Sequence, residues 1–311
     1  MPGAHADFIH TTVIRMTQAD PTAAPPRVSV IVPFLDTPLP FFREAVESVF
    51  AQGFGDWELL LVNDGSGAEA TRFAEALASE HPARLRILTH PGGRNRGVAA
   101  SRTLGLEHSR GELIACLDSD DVWHPEKLEE QVRILDSSPH VDMIFGRSLY
   151  WHSWSDDSRE ADHVHPLGVP DRTEMGQGEF LLRFLRYQVI VPIPSSILVR
   201  RDAVVRAGGF GDLLSIYEDQ AFYAKLSFVG VVMACEEIWN RYRVHPQSSC
   251  QSSSRAQKRA ARRGFLRWLS QELDRMDAGS PALRRTVRIE HRATALPRGP
   301  QVIRLLRQLT N

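Results

Sequence analysis

Residues Gly111–Pro125 read GELIACLDSDDVWHP. Glu112–Leu117 is a short, mostly apolar run with the composition of a strand buried on both faces of a parallel sheet. It ends in three carboxylates within four positions, Asp118, Asp120 and Asp121. Side chains alternate along a strand, so Asp118 and Asp120 are expected to point the same way just past its end. Like charges this close stay ionised only when a cation lies between them or water bathes them. Carboxylates are hard oxygen ligands, suited to Mg2+ or Mn2+ and to the diphosphate that such ions carry. The competing reading is an acidic strand-to-helix loop in which Asp121 or His124 caps the helix that Pro125 opens.

Towards the N-terminus the same strand-then-polar-loop pattern recurs. Arg27–Phe34 (RVSVIVPF) is β-branched and apolar, with Pro33 as its stop. Phe42, Ala45, Val46, Val49 and Phe50 keep the spacing of an amphipathic helix. Glu58–Val62 (ELLLV) is a second buried strand running into Asn63-Asp64-Gly65-Ser66, and Ser66 with Glu69 has the form of a capping box. Leu85–Leu88 is a third strand, and a glycine-rich turn leads into Asn95–His108, read as loop then helix. Strands alternating with helices imply parallel pairing through right-handed crossovers. Such open sheets bind ligands at the carboxyl ends of their strands.

Towards the C-terminus, Pro125–Leu135 reads as a helix and Val141–Phe145 as a strand; residues 151–178 read as an irregular loop over the site. Gly178–Gln188 is expected to be helical, Ser195–Arg200 a strand and Arg201–Ala207 a short helix. In Ile216–Gly230 the apolar positions keep helical spacing, which places Glu218 and Asp219 at a helix N-terminus. Val231–Ala234 and Ile238–Val244 read as two strands, and Phe265–Leu273 and Val302–Leu309 as amphipathic segments.

The chain of 311 residues is 42% hydrophobic and 24% charged, as in ordinary globular proteins. Its net charge of −1 hides an asymmetry. Residues 251–311 hold 14 basic against 4 acidic side chains, which leaves 23 against 34 in the first 250. An acidic body argues against a nucleic-acid partner. The basic tail could form a helical cap, lie on anionic lipid through Phe265, Leu266, Trp268 and Leu269, or dock a partner. No stretch approaches the roughly 20 apolar residues of a bilayer span, and the N-terminus lacks an apolar signal core. With three cysteines and no CxxC, buried thiols in a reducing compartment are expected. A cytoplasmic protein follows, with the inner membrane face as its nearest alternative. His152, His163 and His165 fit no structural zinc spacing.

Five stretches in order, VSVIVPF, LLLVNDGS, NRGVAASRTLGLEHSRGELIACLDSDDVWHP, YEDQAFYAKL and RYRVHPQSS, resemble the inverting family-2 glycosyltransferases, from about Val28 to His245. The resemblance implies a GT-A fold: a Rossmann-like, mostly parallel central sheet with helices on both faces, here followed by a helical C-terminal tail. It implies a flexible leader (1–26), a transferase domain (27–250) with a nucleotide-sugar half (27–146) and an acceptor half (147–250), and a basic tail (251–311). The activity implied is transfer of a sugar from a nucleotide donor, UDP-linked foremost, to a hydroxyl of a glycan or lipid-linked acceptor, with inversion, in polysaccharide or surface-glycan assembly.

By the same resemblance Asp120 ligates Mn2+ or Mg2+ in a DxD-type motif, with His245 as a further ligand, and Asp118 reaches the ribose or a metal-bound water. Pro33, Asn63, Asp64, Arg102 and Ser119 are implied on the donor side. Asn63 stands where the family often has Asp, and Ser-Arg-Thr where it usually has Ala-Arg-Asn. Asp219 is implied as general base, kept ionised by the helix dipole. Glu218 and Trp123 are placed on the acceptor side, and Asp121 caps the next helix. Two other classes compete. A nucleotidyltransferase would carry a glycine-rich basic signature after the first strand, whereas Val32–Pro38 has neither Lys nor Arg. A catalytically inactive nucleotide-sugar-binding protein would not need both Asp120 and Asp219.

Overall fold

The computed structural model describes residues 24–211, 216–248 and 253–295. The leader up to residue 23, Cys250 and the Val302–Leu309 segment lie outside them. In chain order the elements are β1 (Val28–Phe34), α1 (Leu39–Phe50), β2 (Trp57–Asn63), α2 (Ala68–Glu80), β3 (Leu85–Thr89), α3 (Val98–His108), β4 (Leu113–Cys116), β5 (Val122–Trp123), α4 (Lys127–Ser137), β6 (Met143–Trp151), β7 (His163–Val164), β8 (Thr173–Met175), α5 (Glu179–Leu185), β9 (Ile197–Arg200), α6 (Arg201–Arg206), α7 (Glu218–Val229), β10 (Val232–Arg243), α8 (Arg255–Arg275) and α9 (Pro281–Ala293). Short 3-10 turns precede α3 and β9.

The strands form one sheet in the order β3-β2-β1-β4-β9-β6-β10-β5, with β7 beside β6 and β8 beside β10. β3, β2, β1 and β4 are parallel to one another. The chain reaches β4 by crossing to the far side of β1, so the strand order reverses between them; that is the crevice where doubly wound sheets take ligands. β9 is antiparallel to both β4 and β6, and β10 is parallel to β6. β6 and β10 therefore run in the same direction as β1–β4, and their carboxyl ends share the edge at which Asp118–Asp121 emerge.

Each face of the sheet carries its own apolar layer. Phe42, Val46, Ala74, Leu128 and Leu135 of α1, α2 and α4 pack on one face. Leu104 of α3, Phe180 of α5, Phe222 and Leu226 of α7, and Phe265, Leu269, Leu283 and Val287 of α8 and α9 pack on the other. The basic tail, through α9, thus belongs to the main core. The apolar face offered to lipid in one reading is spent inside, with Phe265, Leu266 and Leu269 at most 1% exposed. The cap reading holds for this part.

Several boundaries differ from the sequence reading. Pro33 lies within β1, paired opposite Val62, rather than ending it. Pairing with β4 stops at Ile31↔Cys116, so the N–H that Pro33 lacks costs no ladder bond. The two expected strands after residue 230 are one strand, β10, with bulges between Ala234 and Asn240. The 151–178 loop contributes the short strands β7 and β8. Among the described residues no helix is long and apolar enough to cross a membrane. Cys116 and Cys235 are buried free thiols, as expected.

Candidate active site

The loops after β1 and β2 are knotted together by side chains. Ser66 donates to the carbonyl of Phe34 (3.1 Å) and accepts from the backbone of Asp36 (3.0 Å). It is therefore no capping box: α2 starts at Ala68 behind Gly67 without a side-chain cap. The amide of Asn63 is used locally. Its Oδ1 accepts from Gly65 (3.0 Å) and Ser66 (2.8 Å), and its Nδ2 donates to Thr71 (3.0 Å). Asp64 is 3% exposed, and its carboxylate accepts the backbone N–H groups of Arg96 (2.7 Å) and Gly97 (3.0 Å). Both residues expected on the donor side thus hold the loop after β2 and the turn before α3 in place. Gly65 has φ 92, and a Cβ there would lie 2.9 Å from the Asn95 nitrogen, so only glycine lets these loops meet.

Each residue of the acidic loop, Asp118 to Asp121, is held by a partner outside it. Asp118 accepts from Arg102 of α3 (2.7 Å), and its N–H donates to the Ser195 hydroxyl (3.1 Å). Ser119 pairs with the hydroxyl of Thr37 (2.6 Å). Asp120 accepts nothing from the loop itself but meets Nε2 of His245 at 2.9 Å. Asp121 is fully buried, and caps no helix: it accepts the Ser195 hydroxyl (2.6 Å) and the backbone N–H of Arg243 (3.1 Å). A chain turn that tight needs both its carboxylate oxygens filled, and helix α4 starts six residues later without a side-chain cap. Burial and then the neighbouring Asp120 and Asp118 charges push Asp121 well above the usual carboxylate range.

Arg243 was not singled out in the sequence, yet it is the loop's main support. It is 2% exposed, donates Nε to the Asp120 carbonyl (2.8 Å) and reaches Glu44 (2.5 Å). Its guanidinium lies over Phe41 (4.3 Å) and Trp151 (4.4 Å). The available signal was its place two residues before His245. Trp123 is corrected from the acceptor side to the core: it is 3% exposed, its Nε1 donates to the Ser195 carbonyl (2.8 Å), and Lys127 lies over its ring (4.3 Å). β5 pairs with β10, which leaves the indole no route to solvent. Lys127, fully buried and pushed down to about 7 by that burial, donates to the Ile197 carbonyl (3.1 Å) and braces the turn carrying Ser195.

Arg102 is 3% exposed and forks between Asp118 and Glu218 Oε1 (3.2 Å). The expected donor-side Arg and acceptor-side Glu are therefore partners in one ion triad. It binds the acidic loop to the head of α7. That head is unusual: its N-cap, Tyr217, has φ 73, a left-handed conformation costly for an aromatic residue. Phe265 of α8 stacks on Tyr217 (5.6 Å, 17°), and Arg262 of α8 donates to Gln220 (3.1 Å). The tail thus clamps the turn that aims Asp219. Desolvation first, then the Glu218 charge, lift Asp219 from 3.8 to about 7, with Arg102 opposing. The helix dipole does not hold it low, contrary to expectation.

A divalent cation fits the Asp120–His245 pair. One carboxylate and one imidazole are ordinary ligands for Mn2+, and Asp120 Oδ2 and His245 Nε2 face each other at 2.9 Å. Among the described residues no three His, Cys, Asp or Glu side chains gather into a closed cage. A cation held by this pair would need its remaining ligands from phosphate oxygens and water.

The family described as Glycosyl transferase family 2 matches residues 29–207. A protein of Bacillus subtilis (strain 168) with the name "Putative glycosyltransferase EpsE" is 32% identical over 119 residues, covering 38% of this chain and 42% of that protein. The chain spans less than half the length of the curated relatives it matches first. In solved structures, S. aureus TarS 1-349 in complex with UDP-GlcNAc aligns with TM-score 0.66 at 17% identity, covering 88% of this chain and 74% of that one. The mannosyltransferase PcManGT from Pyrobaculum calidifontis, in complex with GDP-Man and Mn2+, aligns with TM-score 0.56 at 17% identity over 97% and 77%.

Proposed function

Because this chain belongs to glycosyl transferase family 2, we propose that it moves a sugar from a nucleotide-sugar donor to a hydroxyl of a glycan or lipid-linked acceptor, with inversion at the anomeric carbon. The observation that carries the reading is the Asp118–Arg102–Glu218 bridge, which joins the acidic loop at the sheet's switch point to the helix bearing Asp219. Asp120 and His245 would hold Mn2+ or Mg2+, and the cation would offset charge developing on the leaving diphosphate. The loops around Asn63, Asp64 and Ser119, with the end of β1 at Pro33, form the donor wall. Asp219 accepts the proton of the attacking hydroxyl. A carboxylate near 7 is a stronger base than an ordinary Asp and is still half ionised at neutral pH.

A UDP-linked donor is favoured by the shared fold with TarS, whose complex holds UDP-GlcNAc; GDP-sugars are the second arm, after PcManGT. Thermal shift and donor hydrolysis should be measured with UDP-, GDP-, dTDP- and CMP-sugars, with Mn2+ and with chelator. One nucleotide class is expected to stabilise the protein, and only with the metal. No metal-dependent response to any nucleotide would refute the reading.

A further inference from the structure

Three consecutive carbonyls in the turn that opens β9 are each held by a side chain of β5 or α4. The Ser195 carbonyl accepts Trp123 Nε1 (2.8 Å), the Ser196 carbonyl accepts Gln131 Nε2 (2.9 Å), and the Ile197 carbonyl accepts Lys127 Nζ (3.1 Å). Lys127 and Gln131 stand one turn apart on α4, so they share a face, and Nζ donates to Gln131 Oε1 at 2.5 Å. Lys127, Gln131, Ser195 and Ser196 are all 0% exposed. The supporting elements are themselves tied to α1: the Trp123 N–H donates to Ser48 (3.1 Å) and the Leu128 N–H to Gln52 (3.0 Å).

Stability alone does not account for Lys127. The partners of its ammonium are neutral: an amide oxygen, a backbone carbonyl and the ring of Trp123 at 4.3 Å. An ammonium taken out of water onto neutral groups costs stability. Arg outnumbers Lys 34 to 3 in this chain, yet the cation buried under this turn is an ammonium. Its three N–H groups point in different directions, whereas a guanidinium presents a planar fork. That suits one side chain that must meet Gln131, the turn and the indole at once. Lys127 therefore fixes geometry at a cost in stability, and the geometry is that of the Ser195 turn.

The turn passes this order on to the acidic loop. Ser195 Oγ donates to Asp121 (2.6 Å) and accepts the Asp118 N–H (3.1 Å). The two residues it binds bracket Asp120, whose Oδ2 meets His245 Nε2 at 2.9 Å. Resting on the transferase reading above, we propose that Lys127 and Gln131 are positioning residues for the donor site: by fixing the Ser195 turn they hold Asp120 in register with His245, and so set the affinity for a divalent cation and the diphosphate it carries. Neither side chain touches the donor; both act through Ser195.

The test uses the full chain with Lys127→Met and Gln131→Met, both close to the native side chains in volume. Hydrogen exchange by mass spectrometry on the metal-free protein should show faster exchange in residues 116–124, with α9 exchanging as in wild type. Mn2+ titration by electron paramagnetic resonance, with UDP and with GDP as probes, should give a Mn2+ Kd raised about tenfold, the lower end for residues that orient metal ligands. Donor KM should rise with it, while kcat at saturating Mn2+ and donor falls less than about twofold. Should Lys127→Met not fold, Gln131→Met, which keeps the ammonium, is read in the same way. Wild-type exchange in residues 116–124, a lower melting temperature with wild-type Mn2+ affinity, or kcat falling while donor KM stays would each overturn the assignment. Faster loop exchange in the variants, with no Mn2+-dependent nucleotide binding by the wild type, would leave the hold on the loop standing and remove the transferase reading instead.

Discussion

Replacing Asp219 by Asn separates chemistry from binding. The lift from 3.8 to about 7 penalises the charged form by on the order of 4 kcal/mol, at about 1.36 kcal/mol per pH unit. Asp219 keeps partial contact with solvent, so about half of this, roughly 2 kcal/mol, is the stability a neutral amide should recover. The folded carboxyl holds its proton more tightly than the unfolded one. Its contribution is complete below about pH 4 and is lost as pH rises through about 7. The Asn variant should therefore melt a few degrees above wild type at pH 8 and no higher at pH 4. Activity moves the other way. The base works only when ionised, so wild-type kcat/KM should fall tenfold per pH unit below about 7 and level off above it. Asp219→Asn should lose roughly 10²–10⁴ in turnover while donor affinity stays within about twofold. Diphosphate release from the donor follows the rate, and calorimetric titration follows donor binding. Loss of binding in proportion to turnover, or a flat pH profile across neutrality, would refute the assignment of Asp219 as base.

Arg102→Gln leaves Asp118 and Glu218 facing each other across the site without their cation; urea melts should show a loss of about 3–5 kcal/mol, with Arg102→Lys recovering only part because an ammonium cannot fork. Ser195→Ala strips one bond from buried Asp121 and one from the Asp118 N–H, so stability should drop by about 1–3 kcal/mol and the Mn2+ concentration for half-maximal donor binding should rise. Gly65→Ala forces a left-handed alanine against Asn95 and should cost about 1–3 kcal/mol together with donor affinity; an alanine variant that melts like wild type would mean the two loops do not pack this way.

Much of this protein is legible in one dimension because the signals are local. An apolar run such as LLLVN or LIACLDSDD states its own burial, and its polar end states where a parallel sheet would present ligands. That reading brought out strands β1 to β4, the carboxylate loop, and Asp219 at the head of its helix. Polarity says nothing, however, about which partner fills a polar group. Asn63, Asp64 and Arg102 read as groups offered to a donor, but the fold spends them on Gly65 and Ser66, on Arg96 and Gly97, and on Asp118 with Glu218. Buried polar atoms must be paired, and the partners lie up to 116 residues away in the chain.

The same holds for the dipole argument at Asp219. A helix N-terminus is a local feature, while desolvation depends on what α8 and the acidic loop pile around it. The work of Arg243 and Ser195 was not legible locally, because the Asp120 carbonyl and the Asp121 carboxylate they hold lie 123 and 74 residues away in the chain. The direction of β9 and the single bulged β10 are equally non-local. The sequence by itself determined the sheet-forming segments, the carboxylates and the family. Tertiary structure decided which of those carboxylates meets His245, which are consumed as anchors, and how tightly Asp219 holds its proton, because charge and burial are set by neighbours in space.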